Sequence, residues 1–170
     1  MNLTAKRLRA LLSYDPGTGL FRWCVRRQGI KRGDVAGCIQ GHGYVYIKID
    51  GRDYGAARLA WLCQTGERPP DGMQIDHRDG DRSNDRWENL RLATHAQNMH
   101  NQGRRRNNTS GFKGVHFKRS HHKYVALIRV NGKQRTLGYF RTAKLASLKY
   151  RLAARRLHGE FARTGDVPCL

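Results

Sequence analysis

The sequence predicts an α+β fold in two modules, and three observations support this prediction. Two-residue turn signals, Asp50-Gly51 and Asn131-Gly132, each separate two β-rich runs, which is typical of antiparallel hairpins. Amphipathic patterns with helical spacing occur in both halves of the chain. Between the halves, residues 101–111 are rich in Asn, Gly and Arg and lack apolar periodicity, so we interpret them as a helix end followed by a linker. A solvated loop within a single domain is the alternative.

The first half is expected to begin with a helix and a strand. The segment "TAKRLRALLSY" predicts a short helix capped by Thr4, with Leu8, Leu11 and Leu12 on one face. The segment "LFRW", residues 20–23, predicts a strand. Two strands then flank the Asp50-Gly51 turn in "GYVYIKIDGRDY". They are followed by a helix in "AARLAWLCQTG", which is expected to end at its glycine.

The second half predicts three antiparallel strands packed on one helix. The strands are "FKGVHFKRS", "KYVALIRV" and "KQRTLGYF", with the Asn131-Gly132 turn between the last two. The helix is expected to begin after Thr142 and to end at Gly159. An alanine-rich stripe on this helix suits close packing onto a sheet, and its members are Ala143, Ala146, Tyr150, Ala153, Ala154 and Leu157.

The positive charge of the chain is concentrated in its second half. The 170 residues carry a formal net charge of +20. Residues 1–100 contain 16 Lys and Arg against 11 Asp and Glu, whereas residues 101–170 contain 17 against 2. This distribution predicts that the second half binds a polyanion, with nucleic acid as the first candidate. An anionic membrane surface is less well supported, because the sequence has no long apolar run and no lipidation motif.

The cysteines and the N-terminus predict a cytoplasmic protein with free thiols. None of the four cysteines, Cys24, Cys38, Cys63 and Cys169, belongs to a C-x-x-C pair, so a zinc knuckle is not expected. The N-terminus is charged and amphipathic rather than a secretory signal. We therefore expect a reducing compartment, the cytoplasm.

The stretch "QIDHRDGDRSNDRWENLRLATHAQNMHN", residues 74–101, holds a cluster of acids in an otherwise basic chain. A hard divalent cation prefers oxygen ligands, and the Asp76 carboxylate with the amide oxygen of Asn98 supplies two of them. The neighbouring His77 is a suitable general base near neutral pH, since neutral imidazole activates water. The last part of the stretch, "ATHAQNMHN", is expected to be helical, capped by Thr94. The set predicts hydrolysis of a phosphodiester.

The remaining acids of this stretch have a simpler interpretation. Asp79, Asp81 and Asp85 lack the register of an EF-hand and its closing Glu, so a calcium loop is not expected. We expect these carboxylates to solvate a tight loop that turns at Gly80. Two apolar residues of the stretch are expected to lie in the core: Trp87 and Leu90.

The segment "IDHRDGDRSNDRWENLRLATHAQNMHN" resembles the HNH endonuclease motif in its phage and homing-endonuclease version. The resemblance implies a ββα-metal module of two strands and a helix, with Mg²⁺ or Mn²⁺ bound between them. His77 matches the general base and Asp76 the metal ligand that precedes it. Asn89 matches the middle Asn, which steadies the loop and the base. Asn98 takes the third position, a metal ligand that is His in the namesake pattern.

Two further histidines lie on the expected helix. His95, one turn before Asn98, is a candidate contact for the scissile phosphate and completes the expected catalytic set of His77, Asn89 and His95. His100 is an alternative metal ligand, although it is turned roughly 200° around the helix from Asn98.

The second half resembles the Apetala/ethylene-response-factor (ERF) type of DNA-binding domain. The similar pieces are "GFKGVHF", "YVALIRVNGK", "LGYFRTAKLAS" and "YRLAA", within roughly residues 109–162. The resemblance implies that the sheet enters the major groove of double-stranded DNA. Arg129 and Arg135 are the expected base-reading residues, because Arg binds guanine bidentately. The full set of candidate DNA contacts is Lys113, His116, Lys118, Lys123, Arg129, Lys133 and Arg135.

The predicted organisation is an HNH nuclease module followed by a DNA-binding module. The first occupies residues 1–102 with its motif core at 73–102, a linker covers 103–109, and the ERF-type domain covers 110–163. We expect a metal-dependent DNA endonuclease, acting as a monomer or weak dimer and not on a membrane. The alternatives are a DNA-binding regulator with a relic nuclease motif, and a protein that binds or cleaves RNA.

Overall fold

The computed structural model describes residues 3–105 and 107–163, and within it the chain divides into two compact units. The first unit ends at His95 and the second begins at Ala96. The predicted boundary after residue 102 lies seven residues further along the chain and stays a prediction, as does the linker at 103–109. The fold of both units mixes helices with antiparallel sheets, which confirms the mixed α and β character that the sequence predicts.

The first unit begins with a helix that leads directly into a small sheet. Helix α1 (Ala5–Leu11) starts at Thr4, whose hydroxyl accepts a hydrogen bond from the Arg7 backbone N–H at 3.2 Å, as the sequence predicted. Leu12 was expected on this helix but begins a strand instead, because it pairs with Trp23. The antiparallel sheet consists of β1 (Leu12–Tyr14), β2 (Phe21–Trp23) and β3 (Val35–Ala36).

A second small sheet carries the predicted Asp50-Gly51 hairpin. Its strands are β4 (Cys38–Ile39), β5 (Val45–Ile49) and β6 (Arg52–Gly55). Asp50 and Gly51 have φ values of +48° and +80°, as a two-residue hairpin turn requires. Helix α2 (Ala56–Thr65) follows and ends at Gly66, which is left-handed at φ +79°. The hairpin and this helix confirm the sequence prediction.

The acidic stretch forms a two-stranded hairpin with a long connection. Strand β7 (Met73–His77) pairs antiparallel with β8 (Leu90–Thr94), and a 3₁₀ turn (Trp87–Asn89) leads into β8. Helix α3 (His95–Asn101) follows at once. The helix begins directly after Thr94, the predicted cap, whereas Ala93, which was placed in the helical segment, pairs with Gln74 and extends the strand.

One apolar core holds the elements of the first unit together. Its largest fully buried side chains come from α1, β1, β2, β5 and α2, and they are Leu8, Leu12, Phe21, Ile47, Ile49 and Leu59. Leu90 belongs to this core and Trp87 packs against it, with the Trp87 ring 5.2 Å from that of Trp61. Both residues were predicted to be core residues, and both predictions are confirmed. The hairpin β7–β8 is therefore anchored on the N-terminal elements.

The second unit contains one sheet and one long helix. The sheet has the order β11-β10-β9, with β9 (Val115–Lys118), β10 (Lys123–Val130) and β11 (Lys133–Phe140). Helix α4 (Ala143–His158) starts at Thr142 and ends at Gly159, as predicted. The buried core joins the two, and consists of Val115, Ala126, Ile128, Ala146, Tyr150 and Ala154. Leu157 was expected on the packed stripe but is 44% exposed and does not belong to this core.

Two further expectations concern the environment of the chain. No helix in the described ranges is both long and apolar enough to cross a membrane. Cys24, Cys38 and Cys63 are free thiols, and Cys169 lies outside the described residues.

Candidate active site

Asp76 and His77 lie together at the end of β7, and both are about 4% exposed. The hairpin register places Asp76 directly opposite Arg91 of β8. The Arg91 Nε donates a hydrogen bond to Asp76 Oδ2 at 2.8 Å, inside a buried ion pair. A buried guanidinium and a buried carboxylate compensate each other, and this contact fixes the orientation of the carboxylate.

The imidazole of His77 contacts a second buried acid. His77 Nε2 lies 2.9 Å from Asp85 Oδ1, and the two side chains are only 4% and 3% exposed. The expectation that Asp85 solvates the loop is therefore wrong. The physical reason is that the chain turns inward before the 3₁₀ turn, so this carboxylate points at His77 instead of at water. Asp79 and Asp81 are exposed loop acids, as predicted.

The backbone of Asp85 is held by residues from the N-terminal end of the chain. The Tyr14 hydroxyl donates a hydrogen bond to the Asp85 carbonyl at 2.7 Å, and the Trp87 N–H donates to the Pro16 carbonyl at 3.0 Å. Burial, and then the nearby Asp85 carboxylate, raise the pKa of Tyr14, so its hydroxyl stays protonated. Gly19 packs so closely that a Cβ there would lie 2.5 Å from the Arg86 nitrogen.

Asn89 organises the loop between His77 and the 3₁₀ turn. Its side-chain oxygen accepts from the Asp79 N–H at 3.1 Å, and its amide nitrogen donates to the Asn84 carbonyl at 2.7 Å. Its backbone carbonyl accepts from the Arg78 N–H. The loop turns at Gly80, with φ +72°, as predicted. Asn89 thus has the loop-steadying contacts that the resemblance implies.

A tyrosine and an arginine flank the histidine. The Tyr44 ring centroid is 6.0 Å from that of His77. The Arg82 guanidinium lies 4.8 Å from the Tyr44 ring and donates to the His42 carbonyl at 2.9 Å. Cation–π stacking of this kind aligns the two side chains. The turn before β5 and the loop after β7 therefore meet beside the imidazole.

The other predicted site residues of the motif lie on α3. His95 is its first residue and is exposed, and Asn98 is half-buried one turn later, on the same face of the helix. The His100 ring stacks on His158 at 3.7 Å, and its carbonyl accepts from Lys113 Nζ at 2.6 Å. Burial, and then the positive charge of Lys113, lower the pKa of His100.

The donor set suits a hard divalent cation. No cluster of three or more His, Cys, Asp or Glu side chains able to bind a metal occurs within residues 3–105 and 107–163. The predicted ligands are one carboxylate and one amide oxygen, of Asp76 in the first unit and Asn98 in the second, and their role as a metal site stays a prediction. Oxygen donors of this kind fit Mg²⁺ or Mn²⁺ rather than Zn²⁺.

The predicted DNA contacts of the second unit separate into two faces of the sheet. Residues directly opposite each other on neighbouring strands point to the same face. Ile128 and Val130 face α4, and their partners on β11 are Arg135 and Lys133. Arg129 points to the open face, away from the helix. His116, Lys118 and Lys123 share that open face and are exposed.

Lys113 differs from the other candidates. It is half-buried and its ammonium group is engaged by the His100 carbonyl. Lys113 therefore links the segment before β9 to α3 within the second unit.

The structure adds four residues that the sequence analysis did not place at the site: Tyr44, Arg82, Asp85 and Arg91. The hairpin register pairs His77 with Leu90 and therefore places Arg91 opposite Asp76. Arg91 could thus have been predicted from the strand pattern of the sequence. No local feature of the sequence indicates that Asp85 is buried, because its burial depends on contacts with Tyr14 and Gly19, about 70 residues away.

Comparisons with known proteins identify relatives of this chain. A family model described as HNH endonuclease matches residues 54–100. Protein 3.8 of Escherichia phage T7 is 36% identical over 103 residues, which cover 61% of this chain and 84% of that protein. An uncharacterized HNH endonuclease, L560, of Acanthamoeba polyphaga mimivirus is 30% identical over 160 residues, which cover 93% of this chain and 75% of that protein.

A solved structure of DNA binding and cleavage by the HNH homing endonuclease I-HmuI is also similar. The similarity has a TM-score of 0.44 at 24% sequence identity, and it covers 60% of this chain and 57% of that one.

Proposed function

The chain belongs to the HNH endonuclease family, and from that premise we propose that it hydrolyses phosphodiester bonds of double-stranded DNA with the help of Mg²⁺ or Mn²⁺. The observation that carries the proposal is that the two buried side chains at the end of β7, Asp76 and His77, each contact a buried charged partner. Asp76 is oriented by Arg91, and His77 is oriented by Asp85, within one hairpin. The proposed metal ligand and the proposed general base are therefore each held by a buried partner.

Each motif residue has one role in the proposed reaction. His77 takes a proton from the attacking water, which is a role for neutral imidazole near pH 7. Asp76 and Asn98 would hold the cation, which would stabilise the charge that develops on the phosphate and the leaving oxygen. Asn89 keeps the loop after His77 in place through Asp79 and Asn84. His95, exposed at the start of α3, contacts the scissile phosphate.

Strands β7 and β8 with helix α3 constitute the proposed ββα-metal module. Its two strands pair antiparallel over their full length, from Met73↔Thr94 to His77↔Leu90. The Asp76–Arg91 pair lies inside this hairpin, so the carboxylate is positioned before any cation arrives. Preorganisation of this kind lowers the cost of assembling a metal site.

The second unit is proposed to act as an ERF-type DNA-binding module. Its open sheet face carries His116, Lys118, Lys123 and Arg129, and none of these is covered by α4. A twisted antiparallel sheet fits the major groove, where bases are distinguished by their edges. Arg129 is the proposed base-reading residue. Arg135 and Lys133, on the helix side of β11, are proposed to contact phosphates.

The experiment for this function is cleavage of DNA that includes the chain's own genomic neighbourhood. Purified protein is incubated with Mg²⁺, with Mn²⁺ and with EDTA, and Asp76→Asn is compared with wild type. We expect nicked or linear product that requires the metal and is lost in the variant, since an amide replaces the anionic ligand. Cutting in EDTA would contradict the metal role. Intact binding without any product would support a DNA-binding regulator instead.

A further inference from the structure

We propose that Asp85 is the positioning residue of the general base, and that it fixes His77 as the tautomer protonated on Nε2. The inference rests on the proposed function and names a residue to which the comparisons give no role. Its basis is the 2.9 Å contact between His77 Nε2 and Asp85 Oδ1, in which both side chains are at least 96% buried. The contact commits Nε2 to Asp85 and holds the imidazole ring in one orientation.

The tautomer follows from the chemistry of the two groups. An ionised carboxylate only accepts hydrogen bonds, so the proton shared with Asp85 belongs to Nε2. A buried carboxylate is costly unless it is paired, and His77 is the partner within reach. The neighbouring acids differ in this respect. Asp79 and Asp81 accept from backbone N–H groups of their own loop, at 2.8 Å from Asp81 and 2.9 Å from Ser83.

The chain also holds the backbone of Asp85 from three sides. Tyr14 donates to its carbonyl, Pro16 accepts from Trp87 two residues later, and Gly19 packs against its peptide. A Cβ at Gly19 would lie 2.6 Å from the Asp85 carbonyl carbon. These contacts come from β1 and from the turn that leads into β2, so the N-terminal segment has a specific part in the site. It sets the position of one carboxylate.

The step that this geometry serves is balanced in protons. The attacking water gives one proton to the imidazole of His77 as its oxygen bonds to phosphorus. The bond between phosphorus and the leaving oxygen breaks, and the leaving oxygen takes a proton from solvent. His77 becomes an imidazolium whose Nε2–H remains hydrogen-bonded to Asp85. The carboxylate therefore orients the ring before the step and faces its positive charge afterwards.

The first test is independent of metal, DNA and activity. Nuclear magnetic resonance of the ¹⁵N-labelled full chain locates the ring proton of His77. We expect a slowly exchanging proton bonded to Nε2 in wild type, absent in His77→Gln and lost or rapidly exchanging in Asp85→Ala. The control Asp81→Asn, in the same loop, keeps it. A proton found on Nδ1, with Nε2 unprotonated, would overturn the proposal.

The second test separates positioning from binding. In Asp85→Asn we expect kcat to fall on the order of 10²–10⁴-fold with the Kd for DNA changed less than about twofold. Tyr14→Phe removes one hydrogen bond to the Asp85 carbonyl without changing either site side chain, and a smaller loss, under about tenfold, is expected. Tyr14→Phe is the variant to use if Asp85→Asn does not fold. Unchanged kcat in folded Asp85→Asn would refute the role of Asp85, whereas an inactive wild type with the expected Nε2 proton would refute only the nuclease proposal.

Discussion

At the residue scale, Gly19 shows how a position far from the motif acts on the site. Its φ is +77°, and an added Cβ would meet backbone atoms of Asp85 and Arg86 that have little freedom to move. Gly29 has a similar φ, +71°, but nothing lies within 4 Å of the Cβ position. Substitution of Gly29 therefore tests backbone strain alone, whereas substitution of Gly19 tests strain together with the close approach of Asp85 and Arg86.

We predict that Gly19→Ala lowers the free energy of unfolding by more than Gly29→Ala does. Strain at positive φ costs roughly 1–3 kcal/mol in either variant, and Gly19→Ala adds the displacement of Asp85. Urea titration of both variants measures the difference, and cleavage assays show whether Gly19→Ala also loses activity. Equal stability and equal activity of the two variants would contradict the packing described for Asp85.

The motif residues also show which parts of the site a sequence can predict. His77, Asp76 and Asn89 are recognisable because their chemistry and spacing are local to one stretch. Asp85 is in the same stretch and yet was expected in solvent. Whether a loop carboxylate points inward is decided by the fold around it, here by Tyr14 and Gly19, and spacing contains no such information.

At the element scale, the register of the sheet in the second unit decides which basic residues share a face. Arg129 and Arg135 were both expected to read bases. The pairing of Arg135 with buried Ile128 places it on the helix side, whereas Arg129 pairs with Gln134 on the open face. Two arginines on opposite faces of one sheet do not enter the same groove together.

We therefore predict different effects for the two arginines. Arg129→Ala is expected to relax sequence preference at one position, by about 1–3 kcal/mol of discrimination. Arg135→Ala should weaken binding by a similar factor on all sequences, as the removal of a phosphate-binding group does. Binding competition with a library of duplexes measures both. The reverse assignment would place the DNA on the helix side of the sheet.

Helix α4 and α3 share a histidine pair that makes stability depend on pH. Burial, followed by the nearby His100 and Lys113 charges, lowers the pKa of His158, and the pKa of His100 is lowered as well. The unfolded chain, with histidine pKa values near 6.5, then binds more protons than the folded chain does. The stabilisation is present above that pKa and is lost as the pH falls below it.

We predict that the free energy of unfolding decreases between pH about 7.5 and about 5.5, and that His158→Gln reduces this decrease. The matched control is His116→Gln, on the exposed open face of β9. Denaturant titrations at the two pH values measure the slope. A slope that is the same in wild type and His158→Gln would show that the pair does not titrate in this range.

Most elements were predictable because their signals are local. The hairpin turns, the helix caps at Thr4 and Thr142 and the final glycine of α4 are all set within a few residues. Leu12 and Ala93 were misassigned for the opposite reason: each joins a strand through a partner elsewhere in the chain. Strands β3 and β4, of two residues each, depend on pairing alone.

At the scale of the whole molecule, the positive charge is concentrated in the second half of the chain. Residues 101–170 carry 17 Lys and Arg against 2 Asp and Glu. The division of the chain at His95/Ala96 was not predictable, because α3 is tied to the second unit by contacts between distant residues. Lys113 binds the His100 carbonyl, and His158 stacks on the His100 ring.

We predict that a chain lacking residues 109–170 binds DNA more weakly and with a flatter dependence on salt. The slope of log K against log salt concentration falls by about one unit for each phosphate that the shortened chain no longer neutralises. Fluorescence anisotropy at several salt concentrations measures it for the full and shortened chains. A slope that survives the deletion would locate the DNA-binding charges in the first half.

The central claim is that His77 performs chemistry on DNA rather than supporting the fold. The most direct measurement determines metal-dependent cleavage and DNA affinity on the same preparations of wild type and His77→Ala. We expect cleavage by His77→Ala to fall on the order of 10²–10⁴-fold or more, while the Kd for DNA changes less than about twofold. Equal losses of cleavage and affinity would show that His77 is structural and would contradict its role in the chemistry.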